Sequence, residues 1–71
     1  MDDIKNQIGK AIKELREKRS LSQKDLSFTS DLDRSYIASV ENGQRNISIV
    51  NLYKISKALD VTLSELFKNI K

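Results

Sequence analysis

Apolar residues recur every three or four positions along this chain, and no stretch alternates apolar with polar residues long enough to predict a strand. Spacing of this kind places one apolar stripe on each of several short helices. Only 38% of the 71 residues are hydrophobic, so the helices must share one modest core. With no proline, two glycines and no internal repeat, the chain has no stretch with linker composition. The sequence therefore predicts one all-α domain over residues 1–71.

Helix starts are marked by residues that cap free backbone amides. Ser22-Gln23-Lys24-Asp25 and Thr62-Leu63-Ser64-Glu65 both have the capping-box pattern, in which the hydroxyl and the acid each accept a hydrogen bond from a backbone amide. Asp33 and Ser48 are further N-cap candidates. Five helices are therefore predicted. The first covers about residues 3–18, the second begins at Gln23, the third runs from Arg34 to about Asn42, the fourth from Ser48 to about Asp60, and the fifth begins at Leu63. Gly43 is expected to end the third helix.

Each predicted helix has a short set of core-facing positions. In chain order they are Ile4, Ile8, Ala11, Ile12, Leu15, Leu26, Ile37, Val40, Leu52, Ile55, Ala58, Leu59, Leu66, Phe67 and Ile70. Gly9 is expected to weaken the first helix slightly. The shortest break, over Ser30–Asp33, separates the second and third helices. Residues 22–42 are therefore a helix-turn-helix candidate.

The side chains most used in active sites and metal centres are missing. There is no Cys and no His, which excludes thiolate nucleophiles, imidazole bases, disulfides and the zinc and haem sites built from these residues. The acidic residues fall mostly on predicted helix surfaces or at caps, and the sequence has no glycine-rich phosphate loop. We therefore expect no catalytic residue, no metal site and no cofactor.

The sequence also argues against a membrane or secreted location. No apolar run approaches the roughly 18 residues that span a bilayer. Met1-Asp2-Asp3 is acidic where a signal peptide would be basic. We therefore expect a cytoplasmic protein with no membrane partner.

The net positive charge favours a polyanionic partner, but the charged residues are unevenly distributed along the chain. The net charge is +3. Residues 5–24 carry seven basic and two acidic side chains, whereas residues 25–41 carry four acidic side chains and one basic one. An approaching anion would therefore meet a patchwork of basic and acidic surface.

Several groups of residues carry a family resemblance. They are Leu21-Ser22-Gln23-Lys24-Asp25-Leu26, Tyr36-Ile37, Glu41-Asn42-Gly43, and the apolar series Leu52, Ile55, Ala58-Leu59, Val61 and Leu66-Phe67. Together they resemble the lambda-repressor-like, or xenobiotic-response-element-type, helix-turn-helix family over about residues 8–67. Leu32 to Ile37 and Glu41 to Ser48 are similar to the controller proteins of restriction-modification systems. The resemblance implies a compact five-helix DNA-binding domain.

The resemblance also implies a role for each matched position. The third helix would enter the DNA major groove N-terminus first, with Arg34 as the leading candidate for a bidentate contact to guanine. The candidates for reading bases are Arg34, Ser35, Tyr36, Ser39 and Arg45. The candidates for contacting the DNA backbone are Gln23, Asn42, Gln44 and Asn46. Arg16 and Glu41 would form a structural salt bridge.

Three positions depart from the family pattern. Ser27 stands where Ala is usual and places a hydroxyl at a helix crossing, Asp31 stands where Gly is usual, and Ile47 replaces a frequent Pro. Asp31 must take a left-handed conformation, which Asp tolerates better than most residues. Ser27 can bond its own helix backbone. We expect these changes to lower the stability of the monomer without altering the fold.

The leading hypothesis is a transcriptional regulator that binds double-stranded DNA as a homodimer on a two-fold-symmetric operator, with no cofactor. Residues 48–71 supply a candidate dimer surface through Tyr53, Phe67 and Ile70, although these side chains could instead complete the core. Resemblance to controller proteins implies autoregulation of a restriction-modification operon, with pairs of dimers filling adjacent sites. Activation would require contact with RNA polymerase, for which the acidic second helix around Asp25 is the candidate.

Two other classes of function remain open. An antitoxin or adaptor could use the same fold to hold a protein partner, but an antitoxin normally adds a disordered segment, and only four residues follow Phe67. An enzyme would need paired carboxylates, a lysine base or an activated hydroxyl, which makes it the poorest of the three.

Overall fold

The computed structural model describes residues 3–70, so Met1, Asp2 and Lys71, including most of the acidic N-terminus discussed above, lie outside it. Within residues 3–70 the chain forms five α-helices and no strand, which confirms the predicted fold class. They are α1 (Ile4–Lys18), α2 (Gln23–Ser30), α3 (Arg34–Glu41), α4 (Ile49–Ala58) and α5 (Leu63–Phe67). None of these helices is long and apolar enough to cross a membrane.

Both predicted capping boxes form. The Ser22 hydroxyl accepts the Asp25 amide at 3.0 Å, and the Asp25 carboxylate accepts the Ser22 amide at 2.9 Å. At the start of α5, Thr62 and Glu65 make the same pair of bonds at 3.0 and 2.9 Å. Because each bond satisfies an amide that has no partner inside its helix, these residues define where α2 and α5 begin.

The other helix starts differ in their capping chemistry. Ser48 caps α4 as predicted, with its hydroxyl 3.1 Å from the Asn51 amide. Asp3, which the sequence analysis did not single out, caps α1 by accepting the Lys5 amide at 3.0 Å. Asp33 occupies the N-cap position of α3, but its side chain makes no capping hydrogen bond. The prediction of a side-chain cap at Asp33 is therefore wrong, and only its extended backbone marks the start of α3.

The core lies among the five helices, each of which contributes at least one buried apolar side chain. α1 packs on α3 and α5, α2 packs on α3 and α4, and α4 also packs on α5. The buried apolar cluster consists of Ile12, Leu15, Leu26, Ile37, Val40, Leu52, Ile55, Leu59 and Leu66. All nine of these residues were predicted to face inward. Removing their apolar surface from water is the main favourable contribution to folding.

Two predicted core residues are exposed to solvent. Ile4 is 55% exposed because it sits in the first turn of α1, at the rim of a cleft lined by Ile8, Val40 and Ile47. Phe67, at the end of the short α5, is 42% exposed. Core packing at both ends of the chain therefore stops sooner than the apolar spacing suggests.

The two glycines have different structural roles. Gly43 follows α3 with a φ of 73°, a left-handed conformation that favours glycine, and it ends the helix as predicted. Gly9 lies where α1 crosses the end of α3. A Cβ at Gly9 would collide with the carbonyl oxygen of Val40 and lie 2.7 Å from that of Glu41. The absent side chain thus lets the two helices come into contact, a role that helix propensity alone does not reveal.

Candidate nucleic-acid interface

α2 and α3 are joined by a sharp three-residue turn. Asp31 has the left-handed conformation predicted for it, with φ 60° and ψ 37°, and its amide donates to the Ser27 carbonyl. The Leu32 amide donates to the same carbonyl at 3.1 Å. The Ser27 hydroxyl donates to the Lys24 carbonyl at 2.8 Å, the local backbone bond expected for serine at this position. The turn holds α2 against α3 and so forms the helix-turn-helix unit.

α3 divides into a buried side and an outward side. Ile37 and Val40 are 0% and 2% exposed and anchor the helix in the core. Arg34 and Ser35 are exposed in its first turn, and Tyr36 and Ser39 are half-buried beside them. Among the residues that the structure describes, no carboxylate pairs with the Arg34 guanidinium. The structure therefore brings four of the five base-reading candidates to one helix, two of them exposed in its first turn.

The Ser39 hydroxyl is engaged within its own helix, since it donates to the Ser35 carbonyl at 2.9 Å. This bond leaves the lone pairs of its oxygen as the group available to an outside donor. Ser35, one turn earlier, keeps an exposed side chain. The two serines therefore offer different chemistry on the outward side of α3.

A buried ion pair joins α1 to the end of α3. The Arg16 guanidinium donates to Glu41 in a bidentate arrangement, through Nε at 2.7 Å and Nη2 at 3.0 Å, and its Nη1 donates to the Leu21 carbonyl at 2.8 Å. The Glu41 side chain is 2% exposed. Its hydrogen bonds to Arg16 raise the pKa of the guanidinium above its ordinary value, although burial opposes this shift. The pair fixes α3 relative to α1.

Gln23 belongs to the same network. Its Nε2 donates to Glu41 Oε1 at 3.0 Å, and its side chain is half-buried at the first position of α2. Glu41 thus holds the amide that the resemblance assigns to a DNA phosphate. The second amide hydrogen and the carbonyl oxygen of Gln23 remain for an outside partner.

Tyr36 is held between three parts of the chain. Its hydroxyl accepts a hydrogen bond from Asn51 Nδ2 at 3.1 Å, which joins α3 to the first turn of α4. The Arg45 guanidinium lies over its ring, 5.5 Å from the centroid. The ring also packs against the core cluster. Tyr36 and Arg45 were each predicted as base-reading residues, but their contact and the hydrogen bond from Asn51 were not predicted, because no local sequence pattern marks either.

The segment between α3 and α4 carries the remaining polar candidates. Its backbone is fixed by the Gly43 amide, which donates to the Val40 carbonyl at 3.0 Å, and by the Gln44 amide, which donates to the Ser39 carbonyl at 2.9 Å. Ile47 packs against the core and anchors the far end of the segment. The side chains of Asn42, Gln44, Arg45 and Asn46 are all exposed along it. These donors follow α3 directly and extend the polar surface of the helix.

A second exposed surface is apolar. Tyr53, one of the predicted dimer residues, is 52% exposed, and Ile49 and Val50 in the same helix are 63% and 60% exposed. Spacing of i, i+1 and i+4 puts these three side chains on one side of α4, which we call the α4 apolar face. Ile49 and Val50 were not predicted as surface residues, although neither fits the core spacing of α4. Of the other predicted dimer residues, Phe67 is exposed and Ile70 is half-buried.

No group of three or more potential metal-ligating side chains occurs within residues 3–70.

The Lys57 ammonium lies 5.7 Å from the centroid of the Tyr53 ring, so the α4 apolar face has a basic border.

Comparison with known proteins agrees with this geometry. The profile of the family described as Helix-turn-helix matches residues 12–66. The control protein C.MunI of a Mycoplasma species is 54% identical over 72 residues, covering 100% of this chain and 97% of the relative. The crystal structure of the restriction-modification controller protein C.AhdI from Aeromonas hydrophila is 49% identical, with a TM-score of 0.87 over 89% of this chain and 96% of that one.

A third similar protein was solved on DNA. The restriction-modification controller protein C.Esp1396I, as a tetramer in complex with its natural 35 base-pair operator, has a TM-score of 0.89 at 32% identity, covering 96% of this chain and 90% of that one. The family match and these three similarities each extend over most of the chain. The chain therefore belongs to the helix-turn-helix family, in which the proteins similar to it include restriction-modification controllers.

Proposed function

We propose that this chain is a sequence-specific DNA-binding transcriptional regulator, the controller of a restriction-modification operon. The observation that carries the proposal is the outward side of α3, where Arg34 is exposed in the first turn while Ile37 and Val40 bind the same helix into the core. A helix held in this way can enter the major groove with its side chains already placed. Arg34 then donates to O6 and N7 of a guanine, a contact that contributes about 1–3 kcal/mol of discrimination against a wrong base.

Residues around α3 hold the helix in register on the duplex. The exposed side chains of Asn42, Gln44 and Asn46 donate to phosphate oxygens along the segment that follows α3. Gln23 uses its remaining amide hydrogen in the same way at the N-terminus of α2, where the free backbone amides also favour an anion. Arg45 reaches either the backbone or a base edge. These contacts position α3, whereas Arg34 selects the sequence.

The regulator acts as a homodimer on a two-fold-symmetric operator. C.Esp1396I binds its operator as a tetramer, and we infer that this chain likewise forms dimers that fill adjacent sites in pairs. The α4 apolar face supports a dimer contact, together with Phe67 and Ile70, because apolar side chains this exposed favour burial against a second copy. Half-sites of such a dimer lie about 34 Å apart.

The chain works by binding rather than by catalysis, and it regulates its own operon through its concentration. Because its target is the DNA of the operon, we expect it in the cytoplasm. RNA polymerase is the partner for activation, through the exposed side of α2 around Asp25. No observation favours an antitoxin or adaptor role over this function, but the experiment below distinguishes them.

The test is fluorescence anisotropy with labelled duplex from upstream of the gene and a scrambled duplex, at two salt concentrations, with the mass of the complex recorded. We expect the native duplex to bind about a thousandfold more tightly or better. Two or four chains should bind each duplex. Equal, weak binding to both duplexes, together with no site recovered from a random-sequence selection, would contradict a DNA-binding function and favour a protein partner.

Two variants separate reading from positioning. Arg34→Ala should reduce the preference among operator variants at one base pair by about 1–3 kcal/mol. Gln23→Ala should weaken binding to every duplex by the same factor and leave the ranking of operator variants unchanged, because phosphates carry no sequence information. An unchanged ranking of operator variants for Arg34→Ala would show that another residue reads the base.

A further inference from the structure

The first turn of α4 holds an amide side chain against α3. The Asn51 side chain donates through Nδ2 to the Tyr36 hydroxyl at 3.1 Å. Its own backbone amide donates to the Ser48 hydroxyl, also at 3.1 Å, which fixes the turn that carries it. Asn51 and Tyr36 are both half-buried, so their hydrogen bond is partly shielded from competing water. This bond connects α3 to α4 by side chains alone.

The direction of the bond decides what the Tyr36 hydroxyl can do. An amide nitrogen only donates, so the phenolic oxygen is the acceptor and its own proton must point elsewhere. Among residues 3–70 this proton has no hydrogen-bond acceptor. Tyr36 lies beside Arg34 and Ser39 on the outward side of α3. Duplex DNA offers both base edges and phosphate oxygens as acceptors to this side of the helix, and at least half of protein–DNA hydrogen bonds go to phosphate and sugar oxygens.

The same ring also supports a basic side chain. Arg45 lies over the Tyr36 ring, and the attraction of a cation for a ring face depends on the orientation of the ring. Tyrosine turns freely about its side-chain bonds unless its surroundings prevent it. Asn51 holds the phenolic oxygen, which lies on the ring axis, and so fixes where the end of the ring lies, while packing against the core fixes the orientation of the ring face.

We propose that Asn51 is a positioning residue of the DNA-binding surface. It directs the Tyr36 hydroxyl proton toward a DNA phosphate and, through the ring, holds Arg45 in place, while making no DNA contact itself. This proposal rests on the proposed function, since it requires DNA on the outward side of α3. It extends that function by giving α4 a part in recognition.

The test is a double-mutant cycle on the native duplex, with Asn51→Ala, Tyr36→Phe and both together. Loss of a hydrogen bond to a charged phosphate should weaken binding about tenfold in Tyr36→Phe, and Asn51→Ala should lose several-fold. If Asn51 acts through the hydroxyl, adding Asn51→Ala to Tyr36→Phe should change the dissociation constant by less than about twofold. Effects that multiply in the double variant would overturn the proposal.

Asn69→Ala is the matched control, because its Nδ2 also donates a hydrogen bond of 3.1 Å, to the Glu65 carbonyl, and it lies near Lys18 and Arg19 at the end of α1, away from α3. It should bind the native duplex like the wild-type chain. The titration of the wild-type chain distinguishes failure of the proposed function from failure of the role proposed for Asn51. If the wild-type chain shows no preference for the native duplex, the proposed function fails. If the preference is present and the cycle is additive, only the role of Asn51 fails.

A second measurement does not involve DNA. The Tyr36 ring current should displace the NMR signals of the Arg45 side chain in the free protein, and Asn51→Ala should move these signals toward random-coil positions while the core methyl signals of Ile37 and Ile55 stay in place. Unchanged Arg45 signals in the folded Asn51→Ala variant would show that Asn51 does not hold this pair.

Discussion

Arg16 and Glu41 are the residues in which charge and burial are most strongly opposed. Taking two charges out of water is costly, and the bidentate geometry, the Leu21 carbonyl and Gln23 offset that cost only while both partners are present. Glu41→Ala would leave the guanidinium buried without its carboxylate. We expect a loss of about 3 kcal/mol in the free energy of unfolding, measured by urea denaturation.

Glu17→Ala is the control for this substitution, since Glu17 is an exposed acid in the same helix as Arg16. It should change stability by less than about 0.5 kcal/mol. Equal losses in the two variants would mean that the buried pair contributes no more than a surface charge.

Gly9 provides a case in which two physical effects predict opposite signs. In an isolated helix, Gly→Ala stabilises by about 1 kcal/mol because alanine loses less backbone entropy on folding. Here the new Cβ would meet the carbonyl oxygens of Val40 and Glu41, which are backbone atoms and cannot rotate away. We expect Gly9→Ala to destabilise the protein by about 1–3 kcal/mol, as measured by urea denaturation. Lys10→Ala, at the exposed neighbouring position, should show no such loss, and a gain in stability for Gly9→Ala would refute the close contact of α1 with α3.

At the level of the helices, the two capping boxes make the free energy of unfolding depend on pH in the acidic range. Hydrogen bonds from the backbone amide and hydroxyl of Ser22 lower the pKa of Asp25, and those of Thr62 lower the pKa of Glu65. A carboxyl whose pKa is lower in the folded state contributes stability that is present above its unfolded pKa and is lost as pH falls through the folded one. α2 and α5 should therefore lose their caps in acid.

The Asp25→Asn/Glu65→Gln double variant tests this coupling. Its free energy of unfolding should fall less than that of the wild-type chain between neutral pH and about pH 2.5, because neither replacement can be protonated there. Glu14→Gln, at an exposed position in α1, should keep the wild-type dependence on pH. A double variant with the wild-type pH profile would show that these carboxyls do not carry the acid sensitivity.

The helices were predictable from sequence because caps and apolar spacing act within one or two turns. Ser22 and Thr62 find their amide partners three residues away, and all nine core positions follow the helical period. Contacts between helices are not marked by any pattern of neighbouring residues in the sequence. Gly9 looks like a weak helix residue until α3 lies against it, and Asn51 looks like a surface amide until Tyr36 reaches it. The candidate residues of the site were thus predictable, but the contacts that hold them were not.

At the scale of the whole molecule, one protomer is too small to read a long site alone. Its extents are 33 × 22 × 21 Å, and it offers one α3 to one major groove. Two protomers that meet through one shared surface can place their reading helices about 34 Å apart, one turn of the duplex. The α4 apolar face lies on the helix that follows the polar segment after α3, and it is the largest set of exposed apolar side chains on any helix within residues 3–70.

Val50→Asp places a charge on this face and should therefore separate the protomers, because a buried carboxylate without a partner costs several kcal/mol. We expect sedimentation equilibrium to show monomers at concentrations where the wild-type chain is dimeric. Binding to the native duplex should also weaken most at low protein concentration, where the free energy of dimerisation limits occupancy. Phe28→Asp is the matched control, since Phe28 is 90% exposed but lies in α2. It should leave the dimer intact; a dimer that survives Val50→Asp but not Phe28→Asp would place the interface on α2 instead.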